Sequence, residues 1–378
     1  MKRKIAVITT SRSDYAHLRW LLHDLSRHPQ VDLQVIALGP HLSPEFGHTA
    51  KQIEKDRKVA AWIECLLSSD TDVGMAKSLG LAILGLADAL GRMRPDLILL
   101  IADRYEMLAP AAVALTLRIP IAHIEGGETT AGAIDDAVRN AITKMSHLHF
   151  TCTKAAKQRV IAMGEQPWRV TYSGSVSIDN LRRSKLLSRA QVEKKLGISF
   201  NRKKTILALY HPVTLMKDTV QEATELFAAL EKAKEQIFFI YPNADAGSRE
   251  IIHMTEQFIS RRPDTKLFIN LDHTTYLSLL NNVDLLIGNS SSGVIETTSL
   301  ELPALNIGIR QKGREHAANV LDVPAKRRKI REAIQRAISA DFKTSVRGLE
   351  NPYGDGHACK IITKCLTTTP LKNLLFKS

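Results

Sequence analysis

Six short polar clusters each follow an apolar run, and their side chains are of the kinds that grip phosphates and move protons. The first, Thr10-Ser11-Arg12-Ser13-Asp14-Tyr15, comes directly after Ile5–Ile8. An arginine and small polar residues at a strand-to-helix turn can hold a phosphate through backbone N–H groups and a guanidinium. A helix cap by Ser13 or Asp14 explains the same residues. The second, Asp103-Arg104-Tyr105-Glu106, places two carboxylates and an arginine after Leu97–Ala102, more than a turn requires, although a structural ion pair is the competing account. The third runs from His123 to Thr130, where Glu125 and Glu128 supply acids and Gly126-Gly127 permits close backbone approach. Asp135 and Asp136 open the helix that follows and Arg139 lies on its first turns, where acidic residues are also ordinary helix stabilisers. His211-Pro212 forms the fourth cluster, with the histidine expected to be exposed and able to donate to a phosphate. Asn243 and Asp245 mark the fifth and also suit a turn. In the sixth, Gly288-Asn289-Ser290-Ser291-Ser292-Gly293, serine hydroxyls and free N–H groups at a helix N-terminus suit a diphosphate. Glu296, one turn on, can accept from a ribose diol, and Arg310 to Arg314 adds positive charge.

These clusters need strand ends to hold them. Lys4–Thr10, Val31–Leu38, Asp96–Ala102, Ile119–Glu125, His149–Thr153 and Arg169–Ser173 read as strands, alternating with helical Tyr15–Arg27, Glu106–Arg118, Ile134–Ser146 and Lys154–Met163. The pattern restarts after Gly174 with strands at Lys204–Tyr210, Ile237–Tyr241, Thr265–Asn270, Asp284–Gly288 and Ala304–Ile307. A polar, charged stretch, Asn180–Arg202, separates the two series. Apolar strands alternating with helices imply parallel sheets covered on both faces, and ligands bind beyond the carboxyl ends of such strands. The expected fold is α/β, in two halves joined near residue 175.

Composition sets the outer limits. The 378 residues carry a net charge of +13, 44% apolar and 24% charged residues, which excludes a disordered or collagen-like chain. Uninterrupted apolar runs fall short of the ~20 residues a membrane span needs. Lys2-Arg3-Lys4 before Ile5–Ile8 imitates a signal peptide but suits a buried first strand better. Four cysteines without a CxxC pair give neither a disulfide framework nor a zinc site and point to the cytoplasm. The basic run Lys326–Lys329, with Ile330, Ala333, Ile334 and Ala337 at helical spacing, reads as a solvated helix face. No motif supports a nucleic-acid partner.

In this order and spacing the clusters resemble the hydrolysing UDP-N-acetylglucosamine 2-epimerases of sialic-acid and legionaminic-acid biosynthesis. The resemblance extends from the first strand to Asn351–Gly356. It implies a glycosyltransferase-B-like pair of Rossmann-like domains over 1–175 and 176–356 with the active site in the interdomain cleft, and a C-terminal helix over 357–378 returning to the first domain. It also implies catalytic acids at Asp103, Glu125 and Asp135. A UDP-sugar would be bound by Arg12, Arg104, Arg139, His211, Asn243, Ser290, Ser291, Glu296 and Arg310. No metal or nicotinamide cofactor is demanded, and relatives of this kind suggest a homodimer or homotetramer. The expected reaction converts UDP-GlcNAc to ManNAc and UDP. The alternatives are the same reaction on a UDP-2,4-diacetamido-2,4,6-trideoxy-glucose, a non-hydrolysing epimerase, a glycosyltransferase and a nucleotide-sugar sensor.

Overall fold

The computed structural model describes residues 2–43, 49–67, 69, 71–101, 103–130, 134–201, 203–213, 216, 218, 220–242, 247–269 and 271–377, without the side chains of Arg12, Gln52 and Asp72. Two compact units emerge. One comprises Met1–Glu128, Asp135–Asn180 and Tyr353–Ser378, and the other Thr129–Ile134 and Leu181–Pro352.

The first unit is built on β1 (Arg3–Thr9), β2 (Val31–Leu38), β3 (Ala61–Ile63), β4 (Leu97–Ile101), β5 (Ile121–Ile124), β6 (Leu148–Thr151) and β7 (Val170–Tyr172). All pairs are parallel, in the order β3-β2-β1-β4-β5-β6-β7. Ile5 to Ile8 and Leu97 to Leu100 have no exposed surface, as continuous apolar strands between helical layers require. The C-terminal helix Ala358–Thr368 packs on the helix Arg12–Arg27 of the same unit. Asp179 satisfies its first N–H groups, accepting from Ala358 at 2.8 Å and Cys359 at 3.1 Å. Arg169 holds the chain beyond that helix, donating to the carbonyls of Leu374 at 2.9 Å and Phe376 at 2.6 Å.

The second unit contains β8 (Thr205–Leu209), β9 (Gln236–Ile240), β10 (Lys266–Phe268), β11 (Leu285–Gly288), β12 (Ala304–Ile307) and β13 (Val320–Val323). Its parallel order is β10-β9-β8-β11-β12-β13. Chain order therefore reverses at β1/β4 in one sheet and at β8/β11 in the other. Those reversals create the crevices in which α/β sheets bind ligands.

Three features differ from the sequence reading. β3 and β13 were not expected: each is a three- or four-residue edge strand, too short to show a pattern. The polar stretch after Asn180 folds into the helix Arg189–Leu196, started by a Ser188–Gln191 capping box and stopped by Gly197 at φ +61°. The third is a 22-residue helix, Asp72–Met93. Its Val73–Met93 portion is long and apolar enough to cross a membrane by length and composition, which a search for unbroken apolar runs missed because Lys77, Ser78 and Asp88 interrupt it. Ala82, Leu86, Ala89 and Leu90 on that helix belong to the core of the unit. The basic helix Arg327–Ala337 is a solvated face as expected, burying Ile330, Ile334 and Ala337 while Arg327, Arg328 and Lys329 stay exposed.

Gly288 shows how tightly the second crevice is made. It has φ +145°, and a Cβ there would lie 1.9 Å from the Leu209 carbonyl oxygen of the neighbouring strand. Gly288→Ala is expected to destabilise the protein by about 2–4 kcal/mol in urea titration, and an unchanged midpoint would contradict this packing.

Candidate active site

In the first unit the turn after β1 is closed by its own residues. Ser11 caps the helix Arg12–Arg27 in a reciprocal box with Asp14. The Asp14 carboxylate accepts from the Thr10 N–H at 3.0 Å, the Thr10 hydroxyl at 2.5 Å and the Ser11 N–H at 3.1 Å. The cap is thus Ser11, not Ser13 or Asp14. Behind it, buried His41 bridges Thr9 Oγ1 at 2.9 Å and Thr49 Oγ1 at 2.7 Å.

The acids after β4 and β5 are organised by Arg139, whose side chain is 1% exposed. Its guanidinium pairs with Asp103, reaches Asp136 at 3.4 Å and donates to the Glu128 carbonyl at 2.9 Å. A buried guanidinium is costly unless charge and hydrogen bonds surround it, and this set surrounds it from three segments. Asp103 keeps 22% of its side chain exposed, so it is both held and accessible. Arg104 donates to the buried Glu106 carboxylate at 2.7 Å. Glu125 follows β5 with φ +71°, a left-handed conformation that costs a non-glycine residue roughly 1–2 kcal/mol. Its N–H donates to the Phe150 carbonyl at 2.9 Å, which fixes the strained residue to β6. Gly127, at φ +80°, leaves no room for a Cβ, which would come 2.4 Å from the Ala156 carbonyl oxygen. Glu128 is buried, with the Thr153 hydroxyl at 3.5 Å and the Tyr353 phenol at 3.4 Å. Asp135 is half-buried at the start of the helix Asp135–Met145.

In the second unit one amide braces the crevice. Asn289, with no exposed surface, accepts from the His211 N–H at 2.7 Å and donates to the His211 carbonyl at 2.8 Å. Its own carbonyl accepts from Arg310 at 3.1 Å and Gln311 at 2.9 Å. His211 is buried, contrary to the exposure expected of a loop histidine, because Asn289 pins its backbone from both sides. Burial first, and then the Arg310 guanidinium, hold its imidazole well below the usual pKa, so it is neutral at neutral pH. The helix Ser292–Ser299 starts inside the serine run, and the hydroxyl of its N-cap, Ser291, makes no capping bond. Ser290 Oγ accepts from the Ser292 N–H at 3.3 Å. Glu296 is buried near Tyr276, whose phenol is pushed up by burial and then by the Glu296 charge, with the Ser292 hydroxyl within hydrogen-bonding reach. Arg314 donates to the Thr129 carbonyl at 2.9 Å.

The first unit thus gathers Asp103, Arg104, Glu125, Asp135 and Arg139 around the ends of β4 and β5, and the second gathers His211, Ser290, Ser291, Glu296 and Arg310 around β8 and β11. The side chain of Arg12 and all of Asn243 lie outside the described residues. Sequence reasoning did not single out Asn289, Tyr276 or Gln311 by role. Asn289 was legible as part of its motif, whereas Tyr276 sits on a separate helix, His273–Leu280, with nothing in its own neighbourhood to mark it. Among the described residues, no three His, Cys, Asp or Glu side chains converge as metal ligands.

A family model described as UDP-N-acetylglucosamine 2-epimerase matches residues 23–367. The chain belongs to that family. It is 38% identical to a GDP/UDP-N,N'-diacetylbacillosamine 2-epimerase (hydrolysing) of Campylobacter jejuni, over all of this chain and 98% of that relative. It is 34% identical to a UDP-N,N'-diacetylbacillosamine 2-epimerase (hydrolysing) of Legionella pneumophila, over 98% of this chain and 97% of that one. Both are named as hydrolysing 2-epimerases, and this chain is an enzyme of that kind. A crystal structure of UDP-GlcNAc 2-epimerase from Neisseria meningitidis bound to UDP-GlcNAc has the same fold, with a TM-score of 0.84 and 19% identity over 97% of this chain and 100% of that one. The α/β, glycosyltransferase-B-like class with two Rossmann-like domains expected from the sequence is the class observed.

The buried His41 makes stability depend on pH. Burial lowers its pKa from 6.5 to about 4, so on acidification the unfolded chain takes up the proton first. Its contribution is complete above pH 6.5 and is lost as the pH falls from 6.5 to 4. His41→Gln should flatten the stability slope in that window by up to about 1.4 kcal/mol per pH unit. Parallel pH–stability curves for variant and wild type would contradict the assignment.

Proposed function

We propose that this enzyme acts on a UDP-linked 2-acetamido sugar, with UDP-N,N'-diacetylbacillosamine the favoured substrate. The products would be UDP and the free 2,4-diacetamido-2,4,6-trideoxy sugar of manno configuration. The observation that carries the sugar is that both full-length relatives above are named for diacetylbacillosamine. UDP-GlcNAc, giving ManNAc, is the second reading, favoured by the family's own description.

The proposed chemistry follows from the two sets of residues. Departure of UDP breaks the C1–oxygen bond, and its electron pair leaves on the diphosphate. A carboxylate removes the C2 proton, leaving a 2-acetamidoglucal. Water then adds at C1, and a second acid returns a proton to the opposite face of C2, inverting it. One group cannot serve both faces, so two positioned acids are needed. Asp103, Glu125 and Asp135 are assigned to these transfers. Arg139 orients Asp103, and Arg104 and Arg12 contact the substrate. In the second unit Ser290, Ser291, His211, Arg310 and Asn243 are assigned to the nucleotide phosphates and Glu296 to the ribose. A neutral imidazole supplies one N–H donor to a phosphate oxygen, and the Ser290 and Ser291 hydroxyls supply others.

Incubating the enzyme with each nucleotide sugar and identifying the free sugar tests this reading. Turnover of the diacetamido substrate should exceed that of UDP-GlcNAc, and the reverse preference would overturn the sugar assignment. Asp103→Asn should lower kcat by ~10²–10⁴-fold with UDP affinity kept. Ser291→Ala should weaken UDP binding by about tenfold or more in calorimetry. Wild-type turnover in the first variant, or wild-type affinity in the second, would remove that residue from the mechanism.

A further inference from the structure

In the second unit a carboxylate outside the phosphate and ribose set leans on the same strand ends. Glu222 stands in the first turn of the helix Gln221–Leu230, where acidic residues are ordinary helix stabilisers. Here the side chain is half-buried and turned inward. Its Oε2 accepts from the phenol of Tyr210, the buried residue that follows β8, at 2.9 Å. The same oxygen fills the space over Gly308, just beyond β12, where a Cβ would lie 1.9 Å from it. A negative charge so placed has the wrong sign for an anion site. By Coulomb's law alone it repels a diphosphate held at His211 and Arg310. Its use must lie in what it accepts.

Each group on the line from Glu222 to His211 has one hydrogen-bonding role. The His211 N–H can only donate and its carbonyl can only accept. They therefore orient the Asn289 amide, with Oδ1 2.7 Å from the N–H and Nδ2 2.8 Å from the carbonyl. An amide nitrogen carries two N–H groups, and the Asn289 side chain is also within hydrogen-bonding reach of the Tyr210 phenol. The phenol oxygen accepts from that second N–H, so its own proton must point elsewhere. An ionised carboxylate only accepts, and Glu222 receives that proton's bond. Burial first, and then the Glu222 charge, hold the phenol above its usual pKa, so it keeps the proton it donates. A buried line satisfied from end to end rigidifies what it touches.

We propose that Glu222 is a positioning residue for nucleotide binding, which through Tyr210 and Asn289 fixes how His211 is presented to the phosphates. This rests on the assignment of His211 to the phosphates made above. Glu222 is not a catalytic residue, because it acts only through the phenol. The rival account is direct steering of Arg310, whose charge also reaches Tyr210.

Binding of UDP by calorimetry and of uridine by ligand-observed NMR, on the full-length enzyme, tests the proposal. Glu222→Leu and Tyr210→Phe should each weaken UDP binding roughly tenfold. Uridine binding should stay at the wild-type level, because the contacts disturbed are to phosphates. The double variant should match the weaker single one to within about twofold, since both cut the same line. Tyr210→Phe removes one oxygen and keeps the test available should Glu222→Leu fail to fold. Tighter UDP binding by Glu222→Leu would reduce Glu222 to its charge and overturn the proposal. Wild-type UDP affinity in Tyr210→Phe would transfer the role to Arg310 and overturn it too. Additive losses, or equal losses for UDP and uridine, would show general loosening instead and do the same. His211→Asn separates the two layers of the argument. Wild-type UDP affinity in that variant would remove His211 from the phosphates, and the proposal with it. Weakened binding there, with none in Glu222→Leu and Tyr210→Phe, would overturn the positioning role alone.

Discussion

A single buried positive charge fixes the acid cluster. Arg139 is almost wholly inside the first unit, and a guanidinium there is tolerable only with its counter-charges in place. Asp103 comes from the end of β4, the Glu128 carbonyl from the loop after β5, and Asp136 from the helix that also carries Arg139. Each segment is held by what it gives to the arginine, so the direction of Asp103 is set by electrostatics as much as by packing. The strained Glu125 fits the same pattern. Its backbone conformation persists because β6 holds it, and such strain is characteristic of positions kept for their chemistry.

The second unit solves a similar problem without a net charge. Asn289 satisfies both backbone groups of His211 and receives Arg310 and Gln311 on its own carbonyl. Three residues beyond neighbouring strands are thereby tied to Asn289, His211 through its side-chain amide and Arg310 and Gln311 through its main-chain carbonyl. The result is a neutral, oriented imidazole beside a guanidinium and a helix N-terminus, a surface of donors rather than acids. The two sets differ in residue type: the carboxylates Asp103, Glu125 and Asp135 gather in one unit, whereas the set in the other has a single carboxylate, Glu296, among serines, a histidine and an arginine.

Most of this was legible in the sequence because α/β folds place function at strand ends. The alternation of apolar and polar runs located the long central strands to within a residue or two, and the clusters beyond them contained most of the residues now assigned. What escaped was long-range. The helix cap, expected at Ser13 or Asp14, falls on Ser11, because the helix begins one residue beyond it and its hydroxyl meets the Asp14 N–H. The burial of His211 depends on an amide 78 positions away. β3 and β13 gain their strand character only from pairing with β2 and β12. The helix Asp72–Met93 was hidden because Lys77, Ser78 and Asp88 interrupt its apolar run, so only its packing brings Ala82, Leu86, Ala89 and Leu90 together in the core.

The central claim is that UDP leaves by cleavage at C1 and that C2 is inverted through exchangeable acids. Turnover of the nucleotide sugar in D₂O containing ¹⁸O-labelled water, analysed before anomeric exchange, reads both events in one product. The account predicts deuterium at C2 of the free sugar, ¹⁸O on its C1 hydroxyl and unlabelled UDP. A fully protonated C2, or ¹⁸O recovered in UDP, would contradict it.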